Sequence, residues 1–299
     1  MRSTRQAGIF VFIIVFFDML RINELYIYPI KSLGGIAINK ALVTDRGLKY
    51  DRRWMLVDDN NIFISQRKVA HLALMRLQLV VDGIQVSYLP NNRSFTIPFK
   101  PVTNEFADVI IWEDTCKGHF VSQEADQWFS DILEIPCRLV YMPDETKRVT
   151  DERYTSGKSL TSFSDAYPFL IIGEASLEDL NNRLEVPLTM DRFRPNIVFT
   201  GGKPFEEDLM HTLTIGQVTF NGVKLCARCV ITTIDQNTAL KSPEPLKTLA
   251  KYRFKNNKIL FGQNLVHKGT GEIKVGDEIE VLKLNNEDRF SVAPEIHIN

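Results

Sequence analysis

The sequence is poor in the features that mark several protein classes. Its four cysteines are too few for a disulfide scaffold in a chain of 299 residues, so a reducing, cytoplasmic setting is the default expectation. Its 36 basic and 37 acidic residues nearly balance, and the net charge of −1 gives no general reason to bind nucleic acid or an anionic membrane. Any basic site must therefore be local.

The chain also lacks an apolar run long enough to cross a bilayer. Residues 9–17 are apolar and end at Asp18, but a spanning helix needs about 20 such residues. The run would suit the core of a signal peptide, yet no small-x-small cleavage site follows it. We expect residues 1–18 to be an extension upstream of a start at Met19. A membrane-targeting segment and a folded element are the alternatives, and this segment is the only membrane contact that the sequence suggests.

What the sequence does contain is a series of short strand patterns separated by turns. Asp82-Gly83 lies between apolar runs at 77–81 and 84–88 and is the strongest hairpin signal in the chain. The polar residues 58–61 predict a second hairpin turn. The first half of the chain is therefore predicted to be mostly antiparallel sheet.

Helix signals are fewer. Ser122 is predicted to cap one helix and Ser176 a second, and Pro245 is predicted to begin a third. Between the first two helices, residues 142–164 are polar and predict a crossover between domains or a mobile loop.

The most informative stretch places two thiols around an arginine, at Cys226, Arg228 and Cys229. Thiolate is a soft ligand for transition metals, and guanidinium recognises phosphate through two parallel hydrogen bonds. A cofactor that has both a metal and a phosphate would use both groups. The β-branched residues 230–233 predict that the chain continues as a strand after Cys229.

Three other interpretations of these cysteines remain open. Both side chains can be ordinary core residues, because free cysteine is often buried. They can form half of a zinc site, although the five histidines offer no second paired spacing. They can form a thioredoxin-like dithiol, but such a pair normally opens a helix rather than a strand.

Five motifs in order resemble those of the MOSC family, the molybdenum-cofactor proteins that include the amidoxime-reducing components and their bacterial relatives. The motifs are Tyr28–Ser32, Asp51–Trp54, Asp191–Phe199, Leu225–Asp235, and Phe261–Gln263 followed by Ile273–Asp277. The resemblance extends from Met19 to about Leu284. It implies a β-rich α+β fold, with an N-terminal MOSC-associated β-barrel-like domain at 19–141 packed on a C-terminal MOSC β-barrel at 142–284. Residues 285–299 are predicted to be a tail.

The resemblance also implies the site. It makes Cys229 the catalytic residue and the sulfur ligand of molybdenum, while Cys226 is not expected to ligate the metal. The molybdenum cofactor is expected to lie between the two domains. Its phosphate and pterin are expected to contact cations, amides and a carboxylate at Lys31, Ser32, Arg52, Asp165, Arg194, Asn196, Arg228 and Asn264. Backbone N–H groups at Gly34-Gly35 are expected to help hold an anion.

The implied activity is reduction of small N-hydroxylated compounds, such as amidoximes and hydroxylamino-purines, to amines. Some relatives continue into a ferredoxin domain, and no such domain is expected here. Four cysteines cannot supply both the metal ligand and a four-cysteine iron–sulfur cluster, and no Gly-x-Gly-x-x-Gly run is present. Electrons are therefore expected from a separate ferredoxin, cytochrome b5-type protein or flavin reductase. The alternative function is a cofactor carrier without turnover.

Overall fold

Strands dominate the structure. The computed structural model describes residues 19–155 and 157–285, so the apolar run at 9–17 and nearly all of the predicted tail lie outside the described residues. The strands are β1 (Arg21–Ile27), β2 (Ile36–Ile38), β3 (Lys40–Thr44), β4 (Gly47–Leu48), β5 (Trp54–Val57), β6 (Met75–Val80), β7 (Gly83–Tyr88), β8 (Arg93–Pro98), β9 (Phe106–Ile111), β10 (Asp114–Phe120), β11 (Arg138–Tyr141), β12 (Arg148–Val149), β13 (Leu160–Thr161), β14 (Phe169–Gly173), β15 (Ile197–Thr200), β16 (Met210–Ile215), β17 (Val218–Ala227), β18 (Phe254–Lys255), β19 (Lys258–Lys268), β20 (Gly271–Lys274) and β21 (Ile279–Leu284).

Helices are short. The described residues contain three α-helices, which are α1 (Gln123–Leu133), α2 (Glu174–Asn181) and α3 (Leu246–Leu249). Single turns of 3-10 helix occupy Ala70–Leu74, Glu152–Tyr154, Met190–Arg192, Glu206–Leu209 and Val230–Thr233. None of the helices in this part of the chain is long and apolar enough to cross a membrane. The β-rich α+β fold class is confirmed.

The largest sheet has nine strands, in the order β2-β1-β15-β14-β19-β17-β16-β21, with β18 paired to β19. Its centre is apolar on both faces, since all five residues of β14 are buried, and β14 runs parallel to β15. The chain's first strand, β1, pairs antiparallel with β15, and β20 from the end of the chain pairs with β3 from its beginning. The two halves of the sequence therefore interleave, and the division at residue 141 stays a prediction.

The rest of the first half forms two smaller sheets, β6-β7-β8 and β5-β11-β10-β9. The hairpin predicted at Asp82-Gly83 is confirmed, because Val80 pairs with Gly83 across that turn. The turn at residues 58–61 also forms, with Asn61 N–H donating to the Asp58 carbonyl. Its second arm makes only isolated bridges, from Phe63 to Val57 and from Ile62 to Ile110, and is not a strand.

Two of the three helix starts are confirmed. The Ser122 hydroxyl accepts from Ala125 N–H at the start of α1, and Pro245 immediately precedes α3. The prediction for Ser176 is wrong, because α2 already begins at Glu174. Ser176 is fully buried, and its hydroxyl donates to Glu207 and accepts from Phe205 N–H. A tertiary contact therefore uses the hydroxyl that the sequence assigned to a cap.

The strand predicted after Cys229 is also wrong. Strand β17 ends at Ala227, and Val230–Thr233 forms a 3-10 turn. The hydroxyl of Thr232 donates to the Cys229 carbonyl at 2.9 Å and that of Thr233 to the Val230 carbonyl at 2.7 Å. Threonine hydroxyls that bond to the backbone three residues earlier offer it an alternative to a sheet ladder, and here they stabilise a turn.

The polar segment 142–164 contains only short elements, but a buried cation holds it in place. The guanidinium of Arg148 donates to the carbonyls of Ser162, Ser164 and Asp165 and pairs with Asp114. These bonds fix the end of the segment, just before the pocket described next.

Candidate functional site

All nine predicted site residues line one pocket between structural elements from both halves of the chain. The pocket encloses about 940 Å³, including its solvent-open mouth. The first half contributes Lys31, Ser32 and Arg52, and the second contributes Asp165, Arg194, Asn196, Arg228, Cys229 and Asn264. Residues that are far apart in sequence are therefore neighbours in space, while the individual roles stay predictions.

Cys229 lies at the start of the 3-10 turn, where β17 has ended, and is partly exposed to the pocket. Its sulfur accepts a hydrogen bond from Nη2 of Arg67 at 3.3 Å. A thiolate is stabilised by such a neighbouring cation. The arrangement therefore places a partly exposed cysteine sulfur beside a positive charge.

Cys226 lines the same pocket but has different surroundings. Its sulfur lies 3.9 Å from the Ala227 carbonyl and interacts with the Asn264 side chain. Burial raises the pKa of the Cys226 thiol. Among the described residues, no group of three or more His, Cys, Asp or Glu side chains could hold a metal ion. A zinc site built on these two cysteines would therefore need ligands that this part of the protein does not supply.

Lys31 and Asp165 were predicted separately, and they form a pair. Nζ of Lys31 donates to Oδ1 of Asp165 at 2.6 Å and to the Phe163 carbonyl at 2.8 Å. Burial alone would raise the pKa of Asp165, but the charge and hydrogen bond of Lys31 bring this pKa well below its usual range. The Asp165 side chain is 58% exposed, whereas that of Lys31 is 6% exposed. The carboxylate thus faces the pocket with the ammonium behind it.

Arg52 and Asn196 also form one unit. Nη1 of Arg52 donates to Asp51 at 2.6 Å and to Oδ1 of Asn196 at 3.0 Å, and its Nη2 donates to the Arg194 carbonyl. Asn196 is 1% exposed and also bonds to Leu170 N–H and the Tyr26 carbonyl. Its amide is thus committed to the protein, which favours a role in positioning Arg52 over direct contact with a ligand.

Arg194 and Arg228 retain donors without a protein partner. Within residues 19–155 and 157–285, Arg194 makes no side-chain hydrogen bond; its guanidinium lies 4.3 Å from the centre of the Tyr28 ring. Burial lowers the pKa of Arg194 to about 10, so it remains charged at neutral pH. Arg228 donates to the carbonyls of Phe261 and Phe193, but its Nη2 is buried with no partner. A buried N–H without an acceptor costs about 1–3 kcal/mol, which a bound anion would offset.

Gly262 makes room for the Arg228 guanidinium. Its φ of +76° favours glycine, and a Cβ there would lie 2.7 Å from an Ile172 side-chain carbon and 3.3 Å from Nη2 of Arg228. Next to it, Asn264 is half-buried and donates to the Lys224 carbonyl. The Phe261–Gln263 motif is thus explained by the close approach of strand backbone and guanidinium.

The expected anion cradle at Gly34-Gly35 is corrected in part. The Gly34 N–H donates to the Met75 carbonyl at 3.1 Å and is not available to a ligand. A Cβ at Gly35 would lie 2.6 Å from the Tyr28 ring. These glycines are therefore required for close packing. Ser32, at a φ of +71°, remains at the pocket wall.

Among the pocket residues that the sequence did not predict, Arg67 and Trp112 are the ones that contact predicted site residues through a cation or an indole. The Arg67 guanidinium lies 4.2 Å from the centre of the Trp112 ring, and Nε1 of Trp112 donates to Asp165 at 3.3 Å. Neither residue belongs to a motif of the kind used above. Only the packing of the first half against the second brings them to Cys229.

Comparison with known proteins shows which family the chain belongs to. Residues 19–136 match the MOSC N-terminal beta barrel domain, and residues 159–280 match the MOSC domain. Mitochondrial amidoxime-reducing component 1 of Mus musculus is 33% identical over 87% of this chain and 82% of its own length. The chain belongs to the MOSC family.

Other members are similar at the same level. Mitochondrial amidoxime-reducing component 1 of Homo sapiens is also 33% identical, over 87% of this chain. Molybdenum cofactor sulfurase of Oryza sativa subsp. japonica is 31% identical over 81% of this chain but only 32% of its own length. A solved structure of YiiM from Geobacillus stearothermophilus has 13% identity and a TM-score of 0.31, covers 39% of this chain and 55% of its own, and is too distant to bear on function.

Proposed function

We propose that this MOSC protein is a molybdenum-cofactor-dependent oxidoreductase that reduces N-hydroxylated compounds to amines. Its family and the names of its relatives point to a molybdenum cofactor. The observation that carries the proposal is one pocket that holds a partly exposed cysteine next to two arginines with unpartnered donors.

The residues present fit the cofactor. A thiolate at Cys229 is the soft donor that molybdenum requires, and the surrounding residues offer no competing set of protein ligands within the described part of the chain. Arg194 and the Nη2 of Arg228 are donors suited to the cofactor's phosphate. The glycine at 262 leaves room for that guanidinium.

The protein's own contribution is binding, orientation and exclusion of water. Arg67, from the first half of the chain, donates to the Cys229 sulfur, and the Lys31–Asp165 pair orients Trp112, which packs against Arg67. When bound, the cofactor supplies a redox-active metal centre for a reaction in which the N–O bond breaks, two electrons and two protons are taken up, and water leaves. Fixed dipoles around a partly enclosed site are available without reorganisation during turnover.

The open mouth of the pocket favours this function over that of a cofactor carrier. A carrier would need the same cations but no route for a substrate. Here Asp165 is 58% exposed and Trp112 is 42% exposed at the pocket, which favours access by a small molecule. Electrons would come from a separate protein.

The test combines metal analysis with turnover. The purified protein is expected to contain one molybdenum and no zinc per chain, and to reduce benzamidoxime with reduced methyl viologen but not with NADH alone. Molybdenum without any turnover would support the carrier. Zinc in place of molybdenum would support a site built on Cys226 and Cys229, and NADH-driven turnover would mean that the chain needs no separate reductase.

A further inference from the structure

Trp112 stands out among the tryptophans of this chain. Trp54 and Trp128 are 0% and 8% exposed, whereas Trp112 is 42% exposed and lines the pocket. An indole that served only packing would be expected to be covered, because its large apolar surface contributes most when buried.

The backbone at Trp112 is also unusual. Ile111 pairs with Asp114, so Trp112 and Glu113 form a two-residue hairpin loop between β9 and β10. Trp112 has a φ of +56°, a conformation in which such a loop ordinarily has glycine, asparagine or aspartate. A bulky residue in this region is uncommon, and such strained positions cluster at binding and catalytic sites.

Three contacts fix the orientation of the indole. Its Nε1 donates to Asp165 at 3.3 Å, the Phe63 ring lies at 4.7 Å and 65° to it, and the Arg67 guanidinium lies 4.2 Å from its centre. The same guanidinium donates to the sulfur of Cys229. The ring is thus held in one orientation and partly exposed. Arg67 connects it to Cys229, the proposed metal ligand.

We propose that Trp112 is the aromatic wall of the substrate site and makes the enzyme prefer flat aromatic N-hydroxylated compounds to small aliphatic ones. This inference rests on the proposed function. Stacking on an immobile indole adds affinity for any planar π system without ordering a flexible side chain, and a small aliphatic substrate gains little from it. The surface of Trp112 that remains uncovered at the pocket is what a stacking ligand would use.

The test compares two substrates in the holoenzyme with reduced methyl viologen as donor. Trp112→Gly is expected to lower the ratio of kcat/KM for benzamidoxime to that for acetamidoxime about tenfold, chiefly through the KM of benzamidoxime. Trp112→Phe should restore most of the ratio. Phe106→Ala is the matched control, since Phe106 is a 55% exposed aromatic residue at the far end of β9, stacked on His119, and should leave the ratio unchanged.

Two further readouts separate this role from a structural one. Glycine suits the positive φ, so Trp112→Gly should not lower the denaturation midpoint. Because the other two tryptophans are buried, titration with benzamidine should quench the fluorescence of Trp112 saturably, and this change should vanish in Trp112→Phe. An unchanged substrate ratio in Trp112→Gly at normal molybdenum content would overturn the inference.

The outcomes also distinguish this inference from the proposed function. A molybdenum-loaded protein that reduces neither substrate would refute the function, while the benzamidine titration would still test stacking on Trp112. If Trp112→Gly slowed turnover only with a protein reductase and not with viologen, Trp112 would belong to a docking surface and the inference would be wrong.

Discussion

Cys229 and Cys226 line the same pocket, and the Cys229 sulfur accepts a hydrogen bond from the Arg67 guanidinium. We expect Cys229→Ser to abolish amidoxime reduction and leave the fold intact, because a hydroxyl is a hard, weakly acidic group that cannot replace thiolate at molybdenum. Cys226→Ser is the matched control and should retain substantial activity. Turnover assays and circular dichroism check both variants, and equal losses in the two would revive a dithiol mechanism.

Arg194 is well suited for testing the anion site, because its side chain makes no hydrogen bond within the described part of the chain and its replacement therefore breaks none there. We expect Arg194→Ala to lower cofactor occupancy by roughly one to two decades in affinity, because a charge-assisted hydrogen bond contributes about 1.5–3 kcal/mol. Arg194→Lys should rescue this only partly, since a point charge lacks the planar fork.

Molybdenum and pterin content per chain measures this effect. Arg183→Ala serves as the control, because Arg183 lies just after the end of α2, is half-exposed and pairs with Asp179. Full molybdenum content in Arg194→Ala would show that Arg194 does not contribute to cofactor binding.

Glu207 gives a prediction for pH. It is fully buried, and burial, together with the charge of Asp208, raises its pKa to about 8. The folded protein therefore holds this proton more tightly than the unfolded chain. The contribution of the protonated Glu207 to the free energy of unfolding is fully present below about pH 4.5 and is lost as the pH rises towards 8.

We expect Glu207→Gln to flatten the decline in the free energy of unfolding across this window, where one proton corresponds to at most about 1.4 kcal/mol per pH unit. The amide oxygen can still accept from Ser176. Urea denaturation at a series of pH values measures the slope, with Glu178→Gln on the exposed face of α2 as the control. Parallel curves for wild type and Glu207→Gln would contradict the assignment.

At the scale of the element, the cap of α1 is the simplest feature to test. Ser122 accepts from Ala125 N–H at 3.1 Å, and replacing such a cap by alanine costs about 1 kcal/mol. Ser122→Ala should lower the urea midpoint accordingly, and Ser122→Asp should retain stability. Ser94→Ala, on an exposed strand position, should change little. No loss in Ser122→Ala would mean that packing alone determines where α1 begins.

Local sequence signals predicted an element correctly where the residues that give the signal also make the contact that stabilises the element. The hairpin at Asp82-Gly83 and the Ser122 cap depend on neighbours within a few residues, so the local sequence is enough to predict both. Ser176 looks like a cap by the same rule, but Glu207, 31 residues later, takes its hydroxyl. The turn at Val230–Thr233 escaped prediction because threonine favours strands in general and turns when its hydroxyl reaches the backbone.

At the scale of the whole molecule, motif residues were predictable and their partners were not. Lys31 and Asp165 each belong to a recognisable stretch, yet nothing local indicates that they pair. Arg67 and Trp112 reach Cys229 only because the first half packs on the second. Chemistry could therefore be inferred from residue types, whereas the geometry required the three-dimensional arrangement.

The interleaved sheet predicts that the halves are interdependent. Strand β1 buries Ile22 and Leu25 against β15, so a fragment of residues 142–285 would expose the Ile197 and Phe199 side chains and an open strand edge. We expect this fragment alone to aggregate or bind a hydrophobic dye, and co-expression with residues 19–141 to give a soluble complex. A sharp thermal transition for the isolated fragment would show that it folds independently.

The same pairing imposes an order of events during synthesis. Arg21 and Leu25 in β1 meet Thr200 and Ile197 in β15, about 175 residues later in the chain. At a translation rate of about 5–20 residues per second, β1 waits roughly 10–35 s for its partner to leave the ribosome. During that interval β2 can pair with one edge of β1, while the edge that β15 later covers stays open. We therefore expect this chain to need chaperone protection of β1 more than a protein of the same size built from sequential hairpins.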